Sequence, residues 1–309
     1  MKPMRKANYH GMRDIRVEDV VNPDPGPGEV RVKIKYCGIC GSDVHEYVHG
    51  PFPRSPFGHE ACGEIVDRAA DVTSVDVGDH VLAFGPGAYA EYLTAPALAV
   101  RKLDESIPWE RAAVIEPLAG AAYAVKRGGL TREDTLLIAG AGPVGLSVLL
   151  AARAMGVGTV YMTEISEVRM AKAEAMGATA VFNPLETRVP RRIKELTDGK
   201  GVDVAVEAVG VEASLKDCLA STRYRGCVVV HGIFTERVPI HMLGFVTREV
   251  TMIGSNSVDL EQALKWIDSR VVEPEGIVTR IIPLHEIQRN GFDELTDPAT
   301  QQVKILVKP

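Results

Sequence analysis

Two short segments of the chain contain residue types that bind zinc. The first holds Cys37 and Cys40, and the second is Gly58-His59-Glu60. Catalytic zinc sites combine three ligands of these types with one open position. The spacing Cys37-x-x-Cys40 alone is also compatible with a redox pair or half of a zinc ribbon. Neither alternative is favoured, because the chain has no second Cys-x-x-Cys and we do not expect this pair to open a helix beside a thioredoxin-like βαβ unit.

A glycine-rich segment indicates a dinucleotide site. Gly140-Ala-Gly142-Pro-Val-Gly145 matches G-x-G-x-x-G, follows a predicted buried strand at 136–139 and opens a predicted helix. The N–H groups at the start of that helix would face the pyrophosphate. Glu164, about 20 residues further on, would bind the adenosine ribose and repel a 2′-phosphate, so NAD is favoured over NADP. Glycines that serve only helix–sheet packing are the alternative.

The hydrophobic pattern changes near Glu116. Before this point, residues 29–36 alternate between apolar and basic side chains, which is typical of a half-buried antiparallel strand. With further short strands, this region predicts a small barrel or sandwich. After it, strands alternate with helices and predict a doubly wound parallel sheet. The predicted strands lie at 61–66, 80–84, 88–93, 159–163, 202–206, 227–231, 250–254 and 302–307, and the predicted helices include 166–176, 212–221 and one that begins after Asp259.

The bulk composition is that of a globular protein with two domains. The chain has 309 residues, of which 46% are hydrophobic. A net charge of −6 without a basic stripe argues against a nucleic-acid partner. Residues 135–152 carry no charge but include three glycines and a proline, so they predict strand, turn and helix rather than a membrane span. Five scattered cysteines and no secretory signal predict a cytoplasmic protein.

Seven segments, in this order, make the chain resemble the zinc-dependent medium-chain dehydrogenases. Within that family the resemblance is to the sorbitol and 2,3-butanediol dehydrogenases, and it covers nearly the whole chain. The segments are Gly38-Ile-Cys40-Gly-Ser42-Asp43-Val-His45-Glu46-Tyr47, Gly58-His59-Glu60, Ile115-Glu116-Pro117-Leu118-Ala119, the glycine-rich segment at 140–145, Thr163-Glu164-Ile-Ser, Asn290-Gly-Phe-Asp-Glu-Leu and Val303-Lys-Ile-Leu-Val-Lys.

The resemblance implies which residues hold the metal. The zinc ligands would be Cys40 rather than Cys37, together with His59 and Glu116. Glu60 would sit behind the metal or exchange onto it. A structural salt bridge is the other interpretation of Glu60.

The resemblance also implies which residue orients the ligand His59 and which residues transfer the substrate proton. Asp43 would orient His59 through the ring nitrogen that does not bind the metal. Ser42 and His45 match the proton relay of the family, so catalytic roles fall on Ser42, His45 and Glu60. A plain surface position is the alternative for His45. Cofactor contacts are assigned to Gly140, Gly142, Pro143, Val144, Gly145, Glu164 and Arg169.

The implied fold is α/β with two domains. Residues 1–118 and 255–309 would form a GroES-like, partly open β-barrel catalytic domain, and residues 119–254 an NAD-binding Rossmann domain. The cysteines Cys37, Cys62, Cys218 and Cys227 would be small apolar core residues.

The chain departs from the family between its predicted strands at 80–84 and 88–93. Members typically carry a lobe there, often with four cysteines around a structural zinc. Here no cysteine lies between Cys62 and Cys218, so we expect one catalytic zinc and no structural zinc. Residues 255–257, Ser-Asn-Ser, replace an aromatic and basic run of the sorbitol dehydrogenases, which argues against sorbitol itself.

The resemblance implies a zinc- and NAD-dependent oxidoreductase acting on a secondary alcohol or ketone. Two alternatives are a zinc-free reductase on the same fold and a non-catalytic cofactor-binding relative. The apolar segment 250–254 lacks proline and lysine, and we expect it to pair across a two-fold axis in a homodimer.

Overall fold

The computed structural model describes residues 3–51, 57–297 and 299–309 and divides into two units. The first unit is Met1–Val114 with Glu275–Pro309, and the second is Ile115–Pro274. This division differs from the predicted domain bounds chiefly at residues 255–274, which its contacts group with the second unit. The functional domain bounds after residues 118 and 254 stay a prediction.

The first unit consists mainly of strands joined by short connections. Its helices are α1 (Gly41–His49), α2 (Trp109–Ala112) and α10 (Glu294–Thr296), the last preceded by a π-helical stretch at Ile287–Asp293. Its strands are β1 (Pro3–Gly11), β2 (Asp14–Val21), β3 (Glu29–Gly38), β4 (Glu60–Arg68), β5 (His80–Ala83), β6 (Tyr92–Pro96), β7 (Val100–Lys102), β14 (Val278–Pro283) and β15 (Lys304–Lys308).

Seven of these strands form one sheet. The order is β14-β15-β3-β4-β5-β7, with β6 also paired to β3, while β1 and β2 form a separate antiparallel hairpin. The alternation predicted around β3 is confirmed, because Val30, Val32 and Ile34 are buried and Lys33 is exposed. β15 pairs antiparallel with β3, so the predicted strand near the end of the chain is present.

One expectation for this unit is confirmed and another is wrong. Helix α1 begins directly after Cys40, but β3 pairs antiparallel with both β4 and β15, so the cysteine pair does not lie in a thioredoxin-like βαβ unit. The strand predicted at 88–93 begins only at Tyr92. The residues before it bond elsewhere, since the N–H of Ala88 donates to the Gly58 carbonyl oxygen at 3.0 Å.

The second unit alternates strands with helices, as predicted. Its strands are β8 (Thr135–Ala139), β9 (Thr159–Thr163), β10 (Ala180–Phe182), β11 (Val202–Glu207), β12 (Thr222–Val230) and β13 (Thr251–Gly254). Its helices are α3 (Ile115–Arg127), α4 (Pro143–Ala154), α5 (Glu167–Ala175), α6 (Val189–Leu196), α7 (Glu212–Ser221), α8 (Met242–Thr247) and α9 (Leu260–Asp268).

The six strands of the second unit form one parallel sheet in the order β10-β9-β8-β11-β12-β13. Successive strands are added toward one edge of the sheet from β8 to β10 and toward the other edge from β11 to β13, so the strand order reverses between the neighbours β8 and β11. Open α/β sheets bind dinucleotides at the carboxyl ends of their strands, at such a switch point. The glycine-rich segment follows β8 directly and therefore lies at this position. The predicted Rossmann architecture is confirmed.

Helix α9 begins where the sequence predicts. Asp259 caps it by accepting a hydrogen bond from the Gln262 N–H at 3.2 Å. The helix ends at Asp268, and Val271 beyond it is 57% exposed. Its buried residues are Ala263, Trp266 and Ile267.

Among the described residues, no helix is long and apolar enough to cross a membrane. Residues 135–152 form β8, the glycine-rich turn and most of α4, as expected. Cys37, Cys62 and Cys218 are buried, as expected for apolar core residues, whereas Cys227 is half-buried. The cytoplasmic location stays a prediction.

Candidate zinc and dinucleotide-binding sites

Three metal-ligating side chains meet at the ends of β3 and β4. The ligand atoms of Cys40, His59 and Glu60 all lie within 4.8 Å of one another. Cys40 lies two residues beyond Gly38, the last residue of β3. His59 immediately precedes β4, whose first residue, Glu60, is paired with Gly38. Antiparallel pairing of two neighbouring strands therefore brings the two sequence segments together. A thiol, an imidazole and a carboxylate form a ligand set that suits zinc.

The structure separates the roles of the two cysteines. Cys37 is fully buried within β3, opposite Ala61 on one side and Val307 on the other. Burial raises the pKa of the Cys37 thiol well above its ordinary value. Cys40 is the cysteine of the cluster. Burial and then the Glu60 charge also raise the pKa of the Cys40 thiol, while contact with His59 opposes them, so binding of a metal would displace its proton.

Asp43 lies in the first turn of α1, fully buried, and faces His59. Its Oδ1 is 3.7 Å from Nδ1 of the His59 ring, an ion-pair distance. Its Oδ2 accepts hydrogen bonds from the Tyr89 hydroxyl at 2.6 Å and from the Gly58 N–H at 3.2 Å. Burial raises the pKa of the Asp43 carboxyl to about 6, against the lowering effects of His59 and these donors. The structure thus places Asp43 where the sequence analysis expects it.

Glu60 has a buried partner that sequence reasoning missed. The ammonium group of Lys304 forms an ion pair with Oε2 of Glu60 and donates to the Ile39 carbonyl oxygen at 2.9 Å. The two side chains are only 1% and 2% exposed. Glu60 therefore forms a buried salt bridge, which was one of the two interpretations of this residue from the sequence. The available signal was weak: Lys304 is the one charged residue in the apolar run 303–307.

Ser42 and His45 lie one turn apart on α1, so they share a face of that helix. The Ser42 hydroxyl oxygen is buried and has no hydrogen-bond partner among the described residues. The His45 ring lies 4.8 Å from that of His49, and both burial and the charge of His49 lower its pKa.

Glu116 lies in the second unit, in the first turn of α3, and is half-buried. The cluster within the first unit consists of Cys40, His59 and Glu60. The assignment of Glu116 as the third ligand stays a prediction.

The glycine-rich turn has the geometry that a phosphate site requires. Gly140 has φ of +97°, which favours glycine, and a Cβ on Gly145 would lie 1.9 Å from the Gly140 carbonyl oxygen. Gly142 precedes α4, no side chain caps that helix, and a Cβ on Gly142 would meet nothing within 4 Å. Pro143 and Val144 form its first turn. The helix start is therefore open to an anion, with its N–H groups directed outward.

Glu164 follows β9 and is tied to this turn. Its Oε2 accepts from the Ala141 N–H at 2.8 Å, and its Oε1 accepts from the N–H groups of Ile165 and Ser166 at 2.8 and 3.0 Å. The sequence analysis did not foresee these backbone contacts. The carboxylate is thereby fixed beside the predicted phosphate site, where its charge would face a ribose. Arg169 lies in α5 and is half-buried.

Comparisons with known proteins agree with both sites. Residues 26–105 match the family model of the alcohol dehydrogenase GroES-like domain, and residues 143–269 match that of zinc-binding dehydrogenases. The chain is 33% identical to (R,R)-butanediol dehydrogenase of Bacillus subtilis, with 99% of this chain and 100% of that protein covered. It is 32% identical to bovine sorbitol dehydrogenase, with 90% and 89% covered.

A crystal structure from Sinorhizobium meliloti, described as a zinc-binding dehydrogenase bound to NADP, is also similar. It has a TM-score of 0.90 and 27% identity, and the match covers all of both chains. The alignment with the Bacillus protein spans 348 positions, more than the 309 residues of this chain, so it contains gaps opposite this chain. These matches and the two sites define a zinc-binding dehydrogenase that uses a nicotinamide dinucleotide. The chain belongs to the zinc-dependent medium-chain dehydrogenase/reductase family.

The buried pair of Lys304 and Glu60 yields a stability prediction. Lys304→Met leaves a buried carboxylate without its partner, so we expect the free energy of unfolding to fall by about 3–5 kcal/mol. Adding Glu60→Gln should restore part of the loss, because the uncompensated charge is then removed. Urea unfolding of the two single variants and the double variant measures this coupling. Lys308→Met, at the exposed end of the same strand, is the control and should change little. Additive effects of the two single substitutions would contradict the prediction.

Proposed function

We propose that this protein is an alcohol dehydrogenase that holds one catalytic zinc and transfers hydride between a secondary alcohol and NAD. The observation that carries the proposal is the meeting of Cys40, His59 and Glu60 at the paired ends of β3 and β4, in a chain of this family. The intact cluster favours this function over a zinc-free reductase or a non-catalytic relative.

We assign the zinc ligands to Cys40, His59 and Glu116, as the family resemblance implies. Glu60 is the remaining carboxylate of the cluster, and its ion pair with Lys304 supports a place behind the metal. The chain lacks the four cysteines that a structural zinc would need in the interval from Cys62 to Cys218. When bound, zinc supplies Lewis acidity toward the substrate oxygen, and the nicotinamide supplies hydride acceptance or donation.

Ser42 and His45 are assigned to move the proton of the substrate hydroxyl. The buried Ser42 hydroxyl, which has no partner among the described residues, is available to a substrate hydroxyl. The lowered pKa of His45 keeps its imidazole neutral at neutral pH, so it can accept a proton and exchange it with water. Asp43 orients the His59 ring through its ion-pair contact with Nδ1 of that ring.

The substrate class we propose is a secondary alcohol of the diol or polyol kind, or the matching ketone. The similarity to the Bacillus butanediol dehydrogenase supports this class. Sorbitol itself is disfavoured by the small residues 255–257. Formation of NADH with a panel of vicinal diols, polyols and bulkier secondary alcohols tests the class, and inactivity toward all of them would refute it.

The metal and proton roles make separable predictions. Wild type should contain one zinc per chain, and Cys40→Ser should lose both zinc and activity because it removes a thiolate ligand. Ser42→Ala should keep its zinc, yet its turnover should fall by about 10²-fold or more, since positioned proton-transfer groups contribute about 10²–10⁴-fold. Zinc content by atomic absorption and turnover with an active alcohol separate the metal role of Cys40 from the proton-transfer role of Ser42. Two zincs per chain, or normal turnover in Ser42→Ala, would contradict the assignment.

We infer a preference for NAD from Glu164. Its fixed carboxylate beside the glycine-rich turn would repel the 2′-phosphate of NADP. The Sinorhizobium meliloti relative holds NADP, so the preference does not come from the fold alone.

Removing this charge tests the inference. Glu164→Ala should narrow the ratio of kcat/KM for NAD over NADP, because the repulsion is lost together with a ribose partner. Glu167→Ala, on the exposed face of α5, is the matched control and should keep the wild-type ratio. A wild type that prefers NADP, or an unchanged ratio in Glu164→Ala, would show that Glu164 does not select the cofactor.

We propose that β13 pairs with its counterpart in a second copy to form a homodimer. β13 is an edge of the parallel sheet, and exposed apolar side chains lie near it in sequence on α8: Met242, Leu243 and Val246. The Ser255 N–H donates inward to Val230 of β12 at 2.9 Å. Because donors alternate along a strand, the Met252 N–H points to the open edge. Two-fold pairing would satisfy such donors on both copies.

Proline at that position tests the pairing. Met252→Pro removes an outward donor while leaving the inward bonds of β13 in place, so the protein should fold but dissociate to monomers. Met252→Ala keeps the donor and should remain dimeric. Light scattering gives the mass of each species. A monomeric wild type, or a folded proline variant that remains a dimer, would place the interface elsewhere.

A further inference from the structure

The phenol of Tyr89 lies directly behind the carboxylate that faces His59. Tyr89 and Asp43 are both fully buried, and the Tyr89 hydroxyl lies 2.6 Å from Oδ2 of Asp43. The same hydroxyl is 3.2 Å from the Gly38 carbonyl oxygen. A phenol has one proton to donate, and the shorter distance and negative charge direct it to Asp43.

The segment that carries Tyr89 is also bonded to the loop that carries His59. The N–H groups of Gly87 and Ala88 donate to the carbonyl oxygens of Phe57 and Gly58 at 2.8 and 3.0 Å. Gly58 has φ of +71°, and a Cβ there would lie 2.8 Å from the Tyr89 ring. The Tyr89 ring therefore packs closely against Gly58, immediately before His59, at a position where only glycine fits.

These contacts determine which carboxylate oxygen faces His59. Oδ2 of Asp43 is taken by the Tyr89 hydroxyl and the Gly58 N–H, so Oδ1 is the oxygen left toward the His59 ring. Without the phenol, one backbone donor would remain to hold the torsion of the carboxylate. Partners of a metal-binding histidine set the orientation of its ring and its strength as a ligand.

We propose that Tyr89 is a positioning residue for the zinc site, acting through Asp43 on His59. The proposal rests on the function proposed above, in which His59 is a zinc ligand. The hydroxyl carries the effect, whereas the ring supports the loop by packing against Gly58.

The test compares two buried tyrosines of the same core. Tyr89→Phe removes the hydroxyl and keeps the ring, and Tyr47→Phe does the same to a fully buried tyrosine whose hydroxyl donates to Oδ1 of Asp293 at 2.7 Å. Both variants should lose a similar amount of stability. Only Tyr89→Phe should release zinc to a chromophoric chelator faster than wild type, by about tenfold, the lower end of the range for partners of metal ligands. The absorption bands of the cobalt-substituted protein should shift in Tyr89→Phe alone.

A double-mutant cycle with Asp43→Asn shows whether the effect passes through Asp43. If it does, Tyr89→Phe should add little to the release rate of an Asp43→Asn protein. The double variant can also be measured if Tyr89→Phe alone folds poorly, because Asp43→Asn removes the buried charge that would otherwise have lost its phenol donor. Release rates and cobalt spectra of Tyr89→Phe that match Tyr47→Phe, or additive effects in the cycle, would overturn the proposal while leaving the zinc site intact. A wild type that binds no zinc would overturn the proposed function and this inference together.

Discussion

The pairing of β3 with its two neighbours is the constraint on which the proposed zinc site depends. Gly38, the last residue of β3, is opposite Glu60 of β4 on one side and Leu306 of β15 on the other. A Cβ on Gly38 would lie 2.4 Å from Glu60 Oε2 and 2.8 Å from Lys304 Cε. The buried ion pair can therefore form only because this position has no side chain. This register brings the segments that carry Cys40, His59 and Lys304 close together. A slip by one residue in either pairing would turn the side chains of the shifted strand to the opposite face of the sheet.

Around that point the fold concentrates buried charge, which costs free energy unless every charge has partners. Asp43, Glu60 and Lys304 are each at most 2% exposed. Lys304 bonds to Glu60 and the Ile39 carbonyl, and Asp43 is held by Tyr89 and Gly58. Breaking such a pair is costly, but the pair itself is weak evidence of net stability. The consequence that bears on function is that Cys40 and His59, which we propose as zinc ligands, are already close together at the paired strand ends.

Patterns of regular period were sufficient to predict much of the fold. Strand β9 and helix α7 have the predicted bounds, because each is a short run whose apolar residues recur with the period of its element. The placement of Lys304 was not predictable in this way. On a strand, a lysine usually faces solvent, and only the position of Glu60 across two strands reverses that expectation. The contact of Tyr89 with Asp43 was not predicted for a related reason. The alternation at 88–93 indicated a strand, whereas the first residues of this segment are bonded to the loop before His59. Local periodicity carries no information about such contacts between distant segments.

The same contacts explain why a short connection after β5 is compatible with the proposed metal site. β5 ends at Ala83, which is paired with Ala61 of β4, and within a few residues the chain is again bonded to the His59 loop through Gly87 and Ala88. Nothing that positions Cys40, His59 or Asp43 depends on additional residues between these two anchor points. Material inserted there would join the same two fixed ends, and added loop length increases the entropic cost of closure only slowly. The length of this connection can therefore change without disturbing the contacts that hold Asp43 and the His59 loop.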